Sequence, residues 1–251
     1  MSENSNPAQV GRRAGDTIDI VGEYQYRALT AGFVVQRFWH QLKIVEVERV
    51  APPAASWDVL DVGCGSGVVA NYLASRARMV HAVDANPRAI EFARAKFSRE
   101  NLVFHLRLVD EMKFEPASFD AIYCLEFIEH LYREQAIELV RRFATLLKPA
   151  GIIYITTPNY HSAWPIIEKT MDLFRLAPAM TTHQHVWKPT VGKLRALALA
   201  CGFDDFTVRR TCGIAPFVSV LGWRLAQKLD VLEARIGNPL GNLLVAVLRK
   251  G

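Results

Sequence analysis

The chain predicts a doubly wound α/β fold around a mostly parallel sheet, and three features of its 251 residues predict it. An apolar run carrying one acid, Val59-Leu60-Asp61-Val62, passes into Gly63-Cys64-Gly65-Ser66-Gly67 and then into Val68 to Leu73 at helical spacing, which reads as strand, tight loop and helix. About 20 residues beyond the loop, a second apolar run from Met79 to Val83 ends in another acid, Asp84. Further on, short apolar runs alternate with helical patterns as far as Pro158, the spacing of parallel strands joined by right-handed crossovers.

The glycine loop expects a nucleotide-like ligand, because residues without Cβ let a ligand approach the main chain and the helix's first turn offers N–H donors. A dinucleotide fingerprint needs a small residue at position 68, where the chain has Val68. Asp61, two residues before Gly63, would repel a diphosphate and suits a cation instead. S-adenosylmethionine carries a sulfonium and an ammonium and no phosphate, so it fits better than a nicotinamide dinucleotide. Asp84 at the end of the second strand is placed to accept from ribose hydroxyls, with Ala85 beside it.

The remaining elements follow in order. Residues 1–31 read as a polar tail and lead-in, and 32–251 as a single domain. Phe33, Val34, Phe38, Trp39, Leu42, Val45, Val47 and Val50 recur at helical spacing up to Pro52-Pro53. Asn86 and Pro87 read as the cap and first turn of a helix to about Arg99. Leu102 to Val109 reads as the third strand with Asp110-Glu111 at its end, Ala121 to Leu125 as the fourth, Glu134 to Leu147 as a helix and Ile152 to Thr157 as the fifth strand. His81 and His105 fall within strands and read as packed residues. Residues 160–189 interrupt the rhythm with an amphipathic stretch and His183-Gln184-His185-Val186-Trp187, an insertion expected to form a lid that supplies acceptor contacts. Thr190 caps a helix to about Cys201, Phe203 to Cys212 and Asn242 to Leu248 read as strands, and Phe217 to Ile236 reads as one helix mixing leucines with Arg224, Lys228 and Arg235.

The D-V-G-C-G-S-G loop, Val83-Asp84-Ala85-Asn86, Phe119 to His130 and Leu147-Lys148-Pro149-Ala150-Gly151 resemble the ordered motifs of class I S-adenosylmethionine-dependent methyltransferases. The Leu125-Glu126-Phe127-Ile128-Glu129-His130 segment is most similar to the ubiquinone-biosynthesis O-methyltransferases, and the resemblance covers roughly residues 40 to 160. It implies a Rossmann-like sheet of seven strands, mostly parallel with an antiparallel edge strand. It also implies donor contacts from Lys43, Asp61, Gly63, Cys64, Gly65, Gly67, Asp84, Ala85, Leu125 and Glu111, with Asp110 on the adenine amine and Met112 nearby. For Lys43 a solvated helix charge, and for Asp110 an ordinary loop acid, are the other readings.

Methyl transfer from a sulfonium needs alignment and exclusion of water, and an oxygen acceptor must also lose a proton. Glu126, Glu129 and His130 are the candidates, since positions three and four beyond Glu126 share its face if the chain turns helically. The resemblance implies that these three hold a magnesium ion. Alternatively His130 acts as general base with Glu126, or the three only cap and solvate the next helix. The expected acceptor is a small phenol, catechol or quinone precursor, with a lipid, a sugar or another small molecule as the wider alternative.

Composition excludes other classes. Hydrophobic residues are 51% and charged residues 22%, ordinary for a globular chain, and the net charge is +5. That mild basicity is compatible with an anionic membrane surface, and the 217–236 stretch would suit one. No apolar run reaches the ~18 residues of a membrane span. Residues 1 to about 17 lack the apolar core of a signal peptide. The four cysteines are scattered without C-x-x-C spacing, which reads as reduced thiols and a cytoplasmic setting. Nucleic acid is disfavoured: no basic stretch interleaves with aromatics, and Cys124-Leu125-Glu126-Phe127 stands where an amine-methylating enzyme would carry an Asn/Asp-Pro-Pro-aromatic tetrapeptide.

Overall fold

In the computed structural model, residues 21–108, 111–173 and 185–251 are described. Seven strands form one sheet: β1 (Asp58–Val62), β2 (Met79–Asp84), β3 (Leu102–Leu106), β4 (Phe119–Leu125), β5 (Leu147–Pro158), β6 (Asp205–Thr211) and β7 (Leu243–Arg249), in the order β3-β2-β1-β4-β5-β7-β6. The first five are mutually parallel. β7 enters antiparallel between β5 and β6, so the antiparallel strand stands one place in from the edge. The chain reverses between β1 and β4, and that switch brings the carboxyl ends of β1, β2 and β4 around one crevice.

Both faces of the sheet are buried, as a parallel sheet requires. Along β1, Leu60 and Val62 join the cluster that α5 (Arg133–Leu146) and α7 (Val191–Ala200) cover, through Leu139, Val140, Phe143, Leu194 and Leu197. Val59 faces the opposite cluster, made with Val47 of α2 (Val34–Val50), Leu73 of α3 (Val68–Ala74) and Ile90 of α4 (Pro87–Lys96). α4 starts as the sequence predicts: the Asn86 side chain accepts from the N–H groups of Arg88 and Ala89 at 3.0 and 3.3 Å, with Pro87 in the first turn. Thr190 caps α7 in the same way, accepting from Lys193 N at 3.3 Å. All four cysteines are free thiols.

Three expectations change. The lead-in contains a helix, α1 (Tyr24–Thr30), that the polar sequence around it conceals. The third strand stops at Leu106, and Met112 is buried in the core, where Arg142 donates to its carbonyl. The single helix over 217–236 is two, α8 (Ala215–Val218) and α9 (Trp223–Arg235), broken at Gly222 with φ of 155°.

α9 turns a mixed face inward, with Trp223 and Leu229 packed against the cluster of Phe38 and Leu42. It buries Ala226, Asp230 and Glu233 while Leu225, Val231 and Leu232 are exposed. The acids are drawn inward by partners: Asp230 accepts from Arg49 at 2.6 Å, and Glu233 accepts from the Ile214 N–H at 2.7 Å at the start of α8. Within the insertion, α6 (Trp164–Leu173) is helical as expected, while His183 lies outside the described residues. Among the described residues no helix is long and apolar enough to cross a membrane.

Because the Asn86 cap fixes the start of α4 directly behind Asp84, Asn86→Ala is expected to cost about 1 kcal/mol of stability. A lower urea midpoint at unchanged slope would show it.

Candidate active site

The loop after β1 is a chain of left-handed turns, with φ of 73° at Gly63, 50° at Gly65 and 77° at Gly67. Four of its N–H groups already have partners within the protein. Gly63 and Cys64 both donate to Val83 O at 2.9 and 3.1 Å, Gly65 donates to Asp84 Oδ2 at 2.8 Å, and Gly67 donates to Cys64 O at 2.9 Å. A diphosphate placed here would find these donors occupied and two carboxylates beside it.

Those carboxylates lack compensation. Asp61 is buried, and its Oδ2 has no hydrogen-bond partner. Burial, and then the charge of Asp84, push its carboxyl from the ordinary 3.8 up to about 8. Asp84 is also raised by burial, although the N–H groups of Asn86 and Gly65 hold it partly in check. Among the described residues no cation pairs with either acid. An orphaned buried oxygen next to a second acid is a place for a ligand's ammonium group, which matches the amino-acid end of S-adenosylmethionine. The residues present therefore fit that donor: Asp61 would take its ammonium and Asp84 the ribose side.

Helix α1 covers this loop. Gln25 lies so close that a Cβ on Gly65 would stand 2.5 Å from its Oε1, and Tyr26 N donates to Ser66 Oγ at 3.1 Å. Gly22, just before α1, abuts the Arg88 backbone too closely for any side chain. Sequence reasoning missed Gln25 and Tyr26; the one available signal was the pair of aromatics, Tyr24 and Tyr26, in a polar segment.

On the acceptor side the expected trio is rearranged. Glu126 has φ of 50°, so the chain bends sharply before the short turn Ile128–His130 and does not wind helically from it. Its carboxylate accepts from Lys43 Nζ. Lys43 is itself buried, so it is not a solvated helix charge. Glu129 and His130 are instead joined by His185, and ligand atoms of these three lie within 4.8 Å of one another. Glu126 is thus replaced by a histidine 59 residues further on, which the sequence placed within the expected lid.

The electrostatics of the trio are set by its neighbours. Glu129 is buried, which pushes its carboxyl up to about 7, and Thr157 Oγ1 donates to it at 3.0 Å. Burial alone would lower His185, but the Glu168 hydrogen bond, 2.6 Å from Nδ1, and the charges of Glu129 and Glu168 raise it above 6.5. Tyr160 completes the support, its hydroxyl 3.1 Å from Glu168 Oε1 and 2.9 Å from His185 Nδ1. The His130 and His185 rings lie 5.0 Å apart between centroids. Magnesium takes hard oxygen ligands in near-octahedral array, so one carboxylate and two imidazoles do not fit it.

Of the other predicted contacts, Leu125 is buried at the end of β4, Glu111 is exposed, and Asp110 lies outside the described residues. The His81 and His105 rings stack at 5.2 Å across β2 and β3 among phenylalanines, as packed residues.

Residues 59–151 match the family described as methyltransferase domain. The ubiquinone biosynthesis O-methyltransferase of Methylocella silvestris is 31% identical over 190 residues, 73% of this chain and 72% of that protein. A probable S-adenosylmethionine-dependent methyltransferase of Mycobacterium tuberculosis is 28% identical over 213 residues, 85% of this chain and 70% of that protein. Among solved structures, a Thermotoga maritima methyltransferase titled a possible histamine N-methyltransferase superposes with a TM-score of 0.65 at 16% identity, over 92% of this chain and 96% of that one.

The raised pKa of Asp61 gives a signed expectation. Its folded value exceeds its unfolded one, so this carboxyl favours the folded state most at low pH and progressively less as pH rises from about 4 to about 8. Asp61→Asn is expected to melt higher than wild type at pH 8 without ligand, with the difference shrinking at pH 5, and to lose thermal protection by S-adenosylhomocysteine. Thermal scans at the two pH values, with and without that ligand, check both. The relatives, the matched domain and a crevice built for a cationic donor agree: the chain belongs to the class I S-adenosylmethionine-dependent methyltransferases.

Proposed function

We propose that this enzyme O-methylates a small phenolic acceptor, a catechol or quinone precursor, at the cluster of Glu129, His130 and His185. The observation that carries the reading is that cluster itself: two histidines and a half-neutralised carboxyl beyond the end of β4, next to a crevice fitted for the donor. A phenol of pKa about 10 is mostly protonated near neutrality and gains from a nearby base and positive charge. The relatives named for ubiquinone biosynthesis support an oxygen acceptor.

S-adenosylmethionine supplies a methyl group on a positively charged sulfur, so the electrophile needs no further activation. The chain's residues act on the acceptor. His130, with Glu129 beside it, takes the phenolic proton, and His185, whose protonated form the Glu168 hydrogen bond favours, offsets the charge that develops on oxygen. The oxygen lone pair forms the new O–C bond, the C–S electron pair returns to sulfur, and the proton stays on the His130–Glu129 pair until solvent removes it. The Lys43–Glu126 pair stands alongside as a neutral unit and takes no proton in this scheme.

His130→Ala is expected to lower kcat by about 10²- to 10⁴-fold with the affinity for S-adenosylhomocysteine unchanged. Turnover is expected to survive EDTA and to follow a bell in pH, rising as Glu129 loses its proton near 7 and falling as His185 loses its own. Labelled-methyl assays on a panel of phenols and amines check this; methylation of amines alone would overturn it.

The same reading includes contact with an anionic lipid surface through α8 and α9. Phe217, Val220, Leu221, Leu225, Leu232 and Ile236 are exposed there. Arg224, Lys228 and Arg235 are exposed among them, while both acids of α9 are buried. An apolar face ringed only by cations complements phosphatidylglycerol, whereas pairing two copies would bring like charges together. Cosedimentation with phosphatidylglycerol vesicles, weak with neutral vesicles and lost in Leu225→Glu/Leu232→Glu, is the expected result.

A further inference from the structure

A cavity of about 580 Å³ opens directly beyond the proposed proton-handling cluster, and His185 belongs to both. Its inner wall is Tyr160, Glu168 and His185. Its outer wall brings three ammonium groups from separate segments: Lys169 of α6, Lys188 ahead of α7, and Lys193 in the first turn of α7. Glu168 is the one carboxylate lining the cavity among the described residues, and it is already engaged by His185 and the Tyr160 hydroxyl. No carboxylate among the described residues forms an ion pair with any of the three lysines.

Two further observations make this more than a solvated surface. Lys193 sits where the α7 dipole is positive, a position that disfavours a cation unless negative charge arrives. Lys188 Nζ lies 5.9 Å from the centroid of the Tyr160 ring, whose hydroxyl reaches the His185 Nδ1 at 2.9 Å. One aromatic ring therefore separates the lysine rim from the proposed reacting end.

We infer that the acceptor carries an anionic group, a carboxylate or a phosphate-type oxyanion, on the side of its ring opposite the methylated oxygen, and that Lys169, Lys188 and Lys193 select for it. This rests on the acceptor site proposed above and adds its charge class. The lysines act on binding: an oxyanion neutralises a cluster that otherwise repels itself, and the acceptor is aligned with its hydroxyl at Glu129 and His130.

The test uses the full chain loaded with S-adenosylhomocysteine and isothermal calorimetry with three probes of one shape: 3,4-dihydroxybenzoate, 3,4-dihydroxyphenylphosphonate and the uncharged 3,4-dihydroxybenzamide. Expected is about tenfold tighter binding of an anion than of the amide, narrowing as salt rises and abolished in Lys188→Glu/Lys193→Glu. The stronger of the two anions identifies which oxyanion the rim fits. Equal affinity for all three, binding of none, or a preference that survives charge reversal would overturn the inference. Turnover of the same probes keeps the two readings apart. Charge discrimination without methylation would remove phenol methylation and leave the anion site, whereas methylation of benzoate and benzamide with equal kcat/KM would do the reverse.

Discussion

The structure depends on an electrostatic imbalance at the ends of its first two strands. Asp61 and Asp84 are both desolvated, neither has a cation from the described protein, and one oxygen of Asp61 has no partner at all. Burying such groups as carboxylates costs free energy, and a positively charged ligand would offset that cost. The glycine loop reinforces the arrangement in an unexpected way. The N–H groups of Gly63, Cys64 and Gly65, which in a phosphate-binding loop would face the ligand, are consumed by Val83 and Asp84. Glycines here serve mainly to let the loop fold back on β2, and the selectivity against diphosphates comes from occupied donors as much as from repelling charge.

Much of this was legible in the sequence because the relevant signals are local. The strand, loop and helix at Val59 to Leu73, the acid closing β2 and the Asn86-Pro87 cap each lie within a few residues, and the structure reproduces them. The antiparallel pairing of the last two strands was legible through the resemblance. What failed was reasoning that assumed helical continuity. Glu126 adopts a left-handed backbone setting, which a periodicity argument excludes for a glutamate, and so Glu126 turned to Lys43 and left its place to His185. His185 could not be assigned from spacing because its approach to Glu129 depends on the packing of a whole insertion, with Glu168 and Tyr160 holding it.

α9 shows the same limit from the other side. Its sequence has ordinary amphipathic character, and the usual assumption places leucines inward. The structure keeps Trp223, Ala226 and Leu229 inward and adds Asp230 and Glu233 to that face, because Arg49 and the start of α8 draw the two acids in. Gly222 permits the break that lets α9 take this orientation. Long-range polar contacts modify the hydrophobic pattern here, and periodicity carries no information about them.

The cover over the glycine loop bears on how that loop meets solvent. α1 has seven residues, fewer than an isolated helix needs to persist in water, so its order is borrowed from what it touches. Those contacts include Ser66 and Gly65 on the loop, the Arg88 backbone beneath Gly22, Phe92, Phe97 and Lys96 around the Tyr26 ring, His40 against Tyr24, and Gln36, which donates to the Tyr24 hydroxyl at 3.3 Å. A segment ordered only by what it touches is the part of the cover most open to local unfolding, and where it opens the glycine loop is laid bare.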